Sequence, residues 1–141
     1  MVRRWSPDGI PAPIAAYNHL AAVPEGHELV VFAGQVGTLS DGSLAGPDAE
    51  AQARQALANI EALLGTLGAT PANLVKLFTL VAGREHLPGL RAALRDTLGR
   101  WFPDGDVPPN TLAVVAGLAT PEIVVEIEAM AAVPRRHPTG E

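Results

Sequence analysis

Two stretches of the chain place apolar residues at the spacing of an amphipathic helix. The first predicted helix begins after Asp48, a good N-cap residue, and ends at Gly68. Its apolar stripe consists of Ala53, Ala56, Leu57, Ile60, Leu63, Leu64 and Leu67. The second predicted helix runs from Leu87 to Trp101 and carries regularly spaced leucines on one face. Each helix therefore has a single face suited to packing on a core.

Shorter apolar runs, bounded by proline and glycine, predict β-strands. They cover residues 2–5, 17–23, 29–33, 74–81, 111–115 and 123–131. The last two runs are expected to form a hairpin joined by the segment GLATPE. The helices fall before and after the fourth run, and this order indicates an α+β fold. We expect a five- to six-stranded mixed sheet with two helices on one face.

The longer predicted strands are apolar on both faces or nearly so, as in LVVFA, LVKLFTLV, TLAVV and IVVEIEAMA. Two helices of the predicted length can cover only one side of such a sheet. A sheet that is apolar on both sides needs a second cover, because large exposed apolar patches are rare on monomers. Nothing left in the chain can supply it, so we expect another subunit there.

The composition is that of one globular domain. Apolar residues make up 48% of the 141 residues, and the mean hydropathy is +0.18. We assign residues 1–133 to a single domain and expect a disordered tail over 134–141. No apolar stretch approaches the ~20 residues that cross a bilayer, and the first residues, MVRRWSPDG, lack the apolar core of a signal peptide. We therefore expect a cytoplasmic protein without a membrane partner.

Charge and motifs exclude several kinds of function. The chain has a net charge of −5 and scattered basic residues, whereas nucleic-acid binding needs a basic stripe, so no nucleic-acid partner is expected. It has no cysteine, no glycine-rich phosphate-binding motif and no G-x-S-x-G nucleophile motif. The four histidines lack metal-ligand spacing. We expect neither a metal nor a cofactor.

Two carboxylates stand on the last predicted strand. Glu126 and Glu128 are two residues apart, so both point to one face of the sheet. In an apolar environment each charge would be costly unless it were paired or hydrated. The pair therefore indicates either a wet cleft or interface, or an edge strand with a solvated face.

A glycine and a tyrosine are further candidates. Gly34 follows the run LVVFA, where a glycine either allows a ligand or backbone to approach closely or marks a bulge. Tyr17 is the only tyrosine and would share a face with His19 in an extended segment. A lone tyrosine is most often a partly buried residue with one hydrogen bond.

Asn110 lies at the start of an apolar run, in VPPNTLAVVAG. After two prolines it is first of all a turn residue. A neutral amide here becomes informative only when the rest of the chain is considered.

The segments AAYNHLAAV, LVVFAGQVG, AQARQALANIEALLGTLGAT, LVKLFTLVAG and VEIEAMA occur in this order along the chain. In order and spacing they resemble the Rid proteins, the reactive intermediate deaminases of the YjgF or L-PSP type. The resemblance covers residues 17–132. It implies a chorismate-mutase-like α+β subunit and a homotrimer with the sheets facing inward. It also implies a small-molecule ligand in clefts between subunits, and hydrolysis of imines or enamines to a carbonyl compound and ammonia.

The resemblance assigns roles to five positions. Tyr17 and Gly34 match the tyrosine and glycine of the ligand site, and Glu126 matches the glutamate that positions or activates water. Where the family has an arginine followed by threonine or serine, this chain has Asn110 and Thr111. The family arginine holds the substrate carboxylate. An amide offers hydrogen bonds but no charge, and so gives up a charge-assisted pair worth about 1.5–3 kcal/mol.

Three functions stay open at this point. The first is hydrolysis of an imine, enamine or related C–N metabolite without the usual carboxylate, with Glu126 as the base. The second is a non-catalytic trimer that binds a metabolite or a partner protein in the same cleft. The third is the RNA endonuclease or translation inhibitor activity long attached to the family, which the acidic chain disfavours.

Overall fold

Six strands and two helices make up the computed structural model, which describes residues 1–136. The strands are β1 (Arg3–Trp5), β2 (Leu20–Ala22), β3 (His27–Val31), β4 (Leu74–Val81), β5 (Asn110–Val114) and β6 (Val125–Pro134). The helices are α1 (Ala49–Thr66) and α2 (Leu87–Trp101). Short 3₁₀ turns precede β4 and α2. Most of the predicted tail, residues 137–141, lies outside the described residues; Pro134 itself ends β6.

The main sheet has the strand order β3-β6-β4-β5 and is mixed, as predicted. β4 and β5 are parallel, whereas β6 is antiparallel to both β3 and β4. The predicted hairpin of the last two strands is wrong. β6 does not pair with β5 because β4 lies between them. The connection of residues 115–124 therefore passes over one strand.

The strands form two sheets and not one sheet of five or six strands. β1 and β2 pair with each other in a separate antiparallel ladder. A buried side chain links this ladder to the start of β4, because the Arg4 guanidinium donates to the carbonyl oxygens of Ala72 (2.8 Å) and Leu74 (2.6 and 3.1 Å). Arg4 also pairs with Asp106 at 3.0 Å. A side chain thus takes the place of backbone pairing between the two sheets.

α1 begins and ends close to where its capping residues predict, and α2 spans the residues predicted for the second helix. The Asp48 carboxylate accepts a hydrogen bond from the Ala51 N–H at 3.0 Å and caps α1. Gly68 follows the helix with φ +67°, a conformation that favours glycine. α1 and α2 pack on each other and cover one face of the main sheet, which confirms the prediction.

The helix-covered face forms a core that contains the fully buried, hydrogen-bonded side chain of Gln52, whereas the buried indole N–H of Trp101 has no partner within residues 1–136. Gln52 is fully buried on α1, and its amide nitrogen donates to the carbonyl oxygens of Gly46 (3.0 Å) and Glu122 (2.9 Å). Its amide oxygen accepts from the Val124 N–H at 3.0 Å. This one side chain fixes α1 against the segment that leads into β6.

The opposite face, which we call the open face, has no covering element among residues 1–136. It carries side chains that alternate with the buried ones of β4 and β6. These are Lys76, Phe78 and Leu80 of β4, and Glu126, Glu128 and Met130 of β6. Leu29 and Val31 of β3 are 47% and 63% exposed. The open face therefore mixes apolar and charged side chains, and the prediction of a sheet that is apolar on both sides holds only in part.

Candidate functional site

A cavity of about 980 Å³ opens between α2, the start of β5 and the loop of residues 14–19. We call it the α2–β5 cavity. It contains three of the five residues that the sequence indicates, namely Tyr17, Asn110 and Thr111. Arg91 and Arg95 of α2 also line it.

The loop that carries Tyr17 is fastened next to β5 by its neighbour Asn18. The backbone N–H and the side-chain amide of Asn18 both donate to the Val107 carbonyl oxygen, at 3.1 and 3.0 Å. Tyr17 is half-buried, and its ring meets the His19 ring edge-on, with the centroids 6.0 Å apart. The phenol oxygen accepts one hydrogen bond, from the Ile14 N–H at 3.4 Å. The two rings are close, but the predicted strand over 17–23 is limited to Leu20–Ala22, so Tyr17 and His19 do not share the face of a strand.

Asn110 is the first residue of β5 and not only a turn residue. The preceding Pro109 carbonyl already accepts from the Leu77 N–H at 2.9 Å, which starts the parallel ladder. The Asn110 amide oxygen accepts from the hydroxyl of the buried Thr79 at 3.0 Å. Its amide nitrogen makes no hydrogen bond within residues 1–136. Asn110 therefore holds one polar group against the sheet and offers two N–H donors to the cavity.

Thr111 points to the other side of β5, where it meets a lysine. The Lys76 ammonium donates to the Thr111 hydroxyl at 2.6 Å. Burial lowers the pKa of Lys76, because its charge is partly removed from water. The cavity thus wraps around the start of β5 and includes a cation there.

Gly34 and Glu126 form a second group on the open face. A Cβ placed on Gly34 would lie 2.7 Å from Cδ and 2.8 Å from Cγ of Glu126, distances too short for real contacts. The next residue, Gln35, bridges to Ile127 with N–H···O distances of 2.8 and 2.9 Å. Glycine at position 34 therefore allows the Glu126 side chain to lie directly on the backbone. The register also shifts by one residue here, because Val31 pairs with Met130 and Gln35 with Ile127, so Gly34 lies in a bulge, the second of the two predicted alternatives.

Glu126 and Glu128 do share one face, but β6 is not an edge strand. In the antiparallel ladder Glu126 lies opposite Leu80, and Glu128 opposite Phe78. Both carboxylates are half-buried on an interior strand. The alternative of a solvated edge strand is therefore wrong, because β6 lies between β3 and β4.

The structure divides the predicted site residues into two groups. Tyr17, Asn110 and Thr111 line the α2–β5 cavity, whereas Gly34 and Glu126 do not. The charge of the cavity comes from residues that no motif in the sequence predicts, namely Lys76, Arg91 and Arg95. A single arginine on the exposed side of a helix predicts only a solvated residue. The one sequence signal for this cluster is the four-residue spacing of Arg91 and Arg95, which places both on one helix face.

Metal binding and membrane insertion find no structural support in residues 1–136. No three histidine, aspartate or glutamate side chains lie together as a metal site would need. None of the helices in this part of the chain is both long and apolar enough to span a bilayer.

The mixed sheet, the two helices on one of its faces and the cavity at its β5 edge define a class of α+β protein. The sequence profile of the family described as Endoribonuclease L-PSP matches residues 9–133. The chain therefore belongs to this family, which is also known as Rid or YjgF. The resemblance found in the sequence is confirmed.

Several solved structures are similar over nearly their whole length. YyfB of Yersinia pestis, a Rid-family protein of unknown function, is 31% identical with a TM-score of 0.80, covering 94% of this chain and 98% of YyfB. Rv2704 of Mycobacterium tuberculosis, of the YjgF/YER057c/UK114 family, is 28% identical with a TM-score of 0.62, covering 94% and 100%. The YjgF gene product of E. coli is 25% identical with a TM-score of 0.67, covering 94% and 99%. No curated protein matches the chain.

Proposed function

We propose that the chain forms a cytoplasmic homotrimer, with the open faces of its sheets turned inward and small-molecule clefts between subunits. The exposed Leu29 and Val31 support association through this face, since apolar side chains in water gain free energy when covered. The division of the site residues supports it as well. Glu126 lies outside the α2–β5 cavity, so a complete site needs a second copy to bring a Gly34–Glu126 pair to it.

In this cleft the protein hydrolyses imines, enamines or related C–N metabolites. The observation that carries the proposal is the Glu126 carboxylate lying against the Gly34 backbone, at an interior position of the sheet. A carboxylate held in this way can orient a water molecule and accept its proton. The packing limits the conformations of Glu126 and so holds the base in one place before substrate arrives.

The reaction adds one water across the C=N bond. The water oxygen attacks the carbon as Glu126 takes a proton, and the nitrogen receives a proton to give a carbinolamine. Its C–N bond then breaks, ammonia leaves, and a carbonyl compound remains. Tyr17 lines the cleft, and Asn110 and Thr111 offer hydrogen bonds to the substrate.

Asn110 is the reason to expect a changed substrate range. Thr79 holds its amide oxygen, so the side chain presents N–H donors without a charge. A substrate that depends on an arginine at this position would lose about 1.5–3 kcal/mol of binding.

The alternative function is a non-catalytic trimer that binds a metabolite or regulates a partner. In the described part of the chain no aspartate or glutamate lines the cavity, and this favours the alternative because binding needs no general base. An RNA endonuclease is less well supported, since the chain carries 15 acidic and 10 basic residues.

Hydrolysis of freshly generated imines tests the proposal. A flavin-dependent amine oxidase supplies imines without a carboxylate, an amino-acid oxidase supplies carboxylate-bearing imines, and semicarbazide traps those that survive. We expect the protein to clear the imines without a carboxylate and Glu126→Gln to reduce that rate by about 10²- to 10⁴-fold. Asn110→Arg should extend activity to carboxylate-bearing imines.

The outcomes separate the candidate functions. Activity in the Asn110→Arg variant alone would mean that the natural protein is a binding protein with an intact scaffold. No activity in either protein would make the imine hydrolase assignment wrong. Cleavage of RNA that is lost at high salt would favour the endonuclease instead.

A further inference from the structure

The charge of the α2–β5 cavity is of one sign. Among residues 1–136, its charged lining residues are Lys76, Arg91 and Arg95, and no aspartate or glutamate lines it. The chain as a whole has the opposite balance, with a net charge of −5. A cleft lined by charges of one sign concentrates ligands of the other sign.

Other arginines of the two helices have acidic partners. Arg54 binds Glu50 at 2.7 Å and Asp96 at 2.8 Å, and Arg100 lies 3.7 Å from Glu61. Arg91 has no ion pair within residues 1–136. Arg95 approaches only its neighbour Asp96, at 3.9 Å. Hydrogen bonding from Arg54 lowers the pKa of Asp96, so that carboxylate is already engaged.

Arg91 and Arg95 are one helical turn apart on the same face of α2. Two like charges at this spacing repel each other and weaken a helix slightly. Lys76 adds a third cation, whose pKa is lowered by burial. An anion in the cavity would offset the repulsion and the cost of burying the lysine charge.

We infer that Arg91 and Arg95 bind the oxyanion group of the ligand of this cavity, a carboxylate or a phosphate. The inference rests on the proposed function in taking the cavity as the ligand site. It adds that the positive charge absent at position 110 is supplied from α2. Guanidinium groups match oxyanions geometrically through paired N–H donors. Asn110, at the β5 side of the same cavity, then donates to an uncharged part of the ligand.

Direct binding to the full chain tests the inference without turnover. The probes are 2-oxobutanoate, its uncharged counterpart 2-butanone, and inorganic phosphate, measured by calorimetry or by NMR titration. We expect an anion to bind at least about tenfold more tightly than 2-butanone. Arg91→Gln with Arg95→Gln should weaken anion binding by about 10- to 100-fold and leave 2-butanone binding unchanged.

Arg100→Gln is the matched control, because it removes one positive charge from the same helix outside the cavity. It should leave anion binding unchanged. An equal loss in Arg100→Gln, or no preference for either anion over 2-butanone, would overturn the inference. Tighter binding of phosphate than of 2-oxobutanoate, lost in the double variant, supports it and identifies a phosphate ligand. The reverse order supports it with a carboxylate ligand.

The same experiment distinguishes the inference from the proposed reaction. Arginine-dependent anion binding without imine hydrolysis keeps the inference and makes the reaction wrong. Hydrolysis of uncharged imines without arginine-dependent anion binding keeps the reaction and overturns the inference. The melting temperature of the variant with Arg91→Gln and Arg95→Gln should equal or exceed that of the natural protein, because the two substitutions relieve repulsion on α2.

Discussion

The two faces of the main sheet are built from the same strands but differ in how their polar groups are treated. On the helix-covered face, Gln52 and Thr79 are buried and hydrogen-bonded. On the open face, Glu126 and Glu128 lie opposite Leu80 and Phe78 and have no hydrogen-bond partner within residues 1–136. Val31 there is 63% exposed. The covered face is packed and hydrogen-bonded within one chain, whereas the open face has the composition of a surface that contacts another subunit or a ligand.

Packing and chemistry are separated in this fold, each on one face of the main sheet. Side chains of β4 and β6 that point toward the helices stabilise the subunit, and those that point away are free to serve association and catalysis. Substitutions on the two faces should therefore act on different measurements, the first on unfolding and the second on assembly or turnover.

The largest effect on unfolding is expected at Gln52. Gln52→Leu leaves the carbonyl oxygens of Gly46 and Glu122 and the N–H of Val124 without partners. We expect a loss of roughly 3 kcal/mol or more in the free energy of unfolding, measured by denaturant titration. Gln55→Leu, which removes a single bond to Asn59, should cost about 1 kcal/mol or less. Equal losses of unfolding free energy in the two variants would contradict the conclusion that the three buried hydrogen bonds of Gln52 stabilise the fold.

A Cβ at Gly34 should reduce turnover more than stability. Gly34→Ala forces the Glu126 side chain away from the backbone, and we expect imine hydrolysis to fall by about 100-fold. Gly65→Ala is the control, because an added Cβ meets nothing within 4 Å there and should stabilise α1 by about 0.5–1 kcal/mol. Full activity in Gly34→Ala would show that the position of Glu126 does not matter.

A charge on the open face should act on assembly. Val31→Glu places a carboxylate on a side chain that is already exposed in the single chain, so unfolding of the subunit should change by only about 0.5 kcal/mol. We expect light scattering to show a smaller particle than the natural protein forms. Leu63 belongs to the predicted apolar stripe of α1 but is 37% exposed in the structure, so Leu63→Glu should leave the mass unchanged. If the natural protein is a monomer, the open face is not an association surface and this contrast between the two faces is wrong.

The smallest effect is expected at Lys76, whose pKa is lowered by burial. The folded protein binds this proton less tightly than the unfolded chain, so the destabilising effect is fully present below the lowered pKa. It disappears as the pH rises through that value toward the ordinary lysine pKa. Lys76→Met should therefore flatten a small rise of stability in the alkaline range. An unchanged pH profile of unfolding would contradict this assignment.

Elements defined by local pattern could be predicted from the sequence. β4 and α2 occupy the predicted residues 74–81 and 87–101, because unbroken apolar runs and helical spacing are local signals. The pairing of the strands is not local. β5 joins β4 in a parallel ladder and β6 enters between β3 and β4, whereas the short connection between β5 and β6 favours a hairpin on sequence grounds.

The candidate site could be predicted only in part. Tyr17, Gly34, Asn110, Thr111 and Glu126 follow from resemblance to the family, and their roles stay predictions. The charge of the cavity does not follow from the sequence, because it depends on how α2 is rotated over β5. That rotation brings Arg91 and Arg95 into the same cavity as Asn110, about twenty residues further along the chain.

The position of β6 also determines when the subunit can fold during synthesis. Among the strands of residues 1–136 it is made last, yet it is the antiparallel partner of both β3 and β4. Until residues 125–134 emerge, β3 has no neighbour in the sheet and presents an unpaired apolar edge. A chain that ends before β6 would expose this edge permanently and should aggregate. Completion of β6 is therefore the step after which the β3 edge can no longer pair with other nascent chains on the same mRNA.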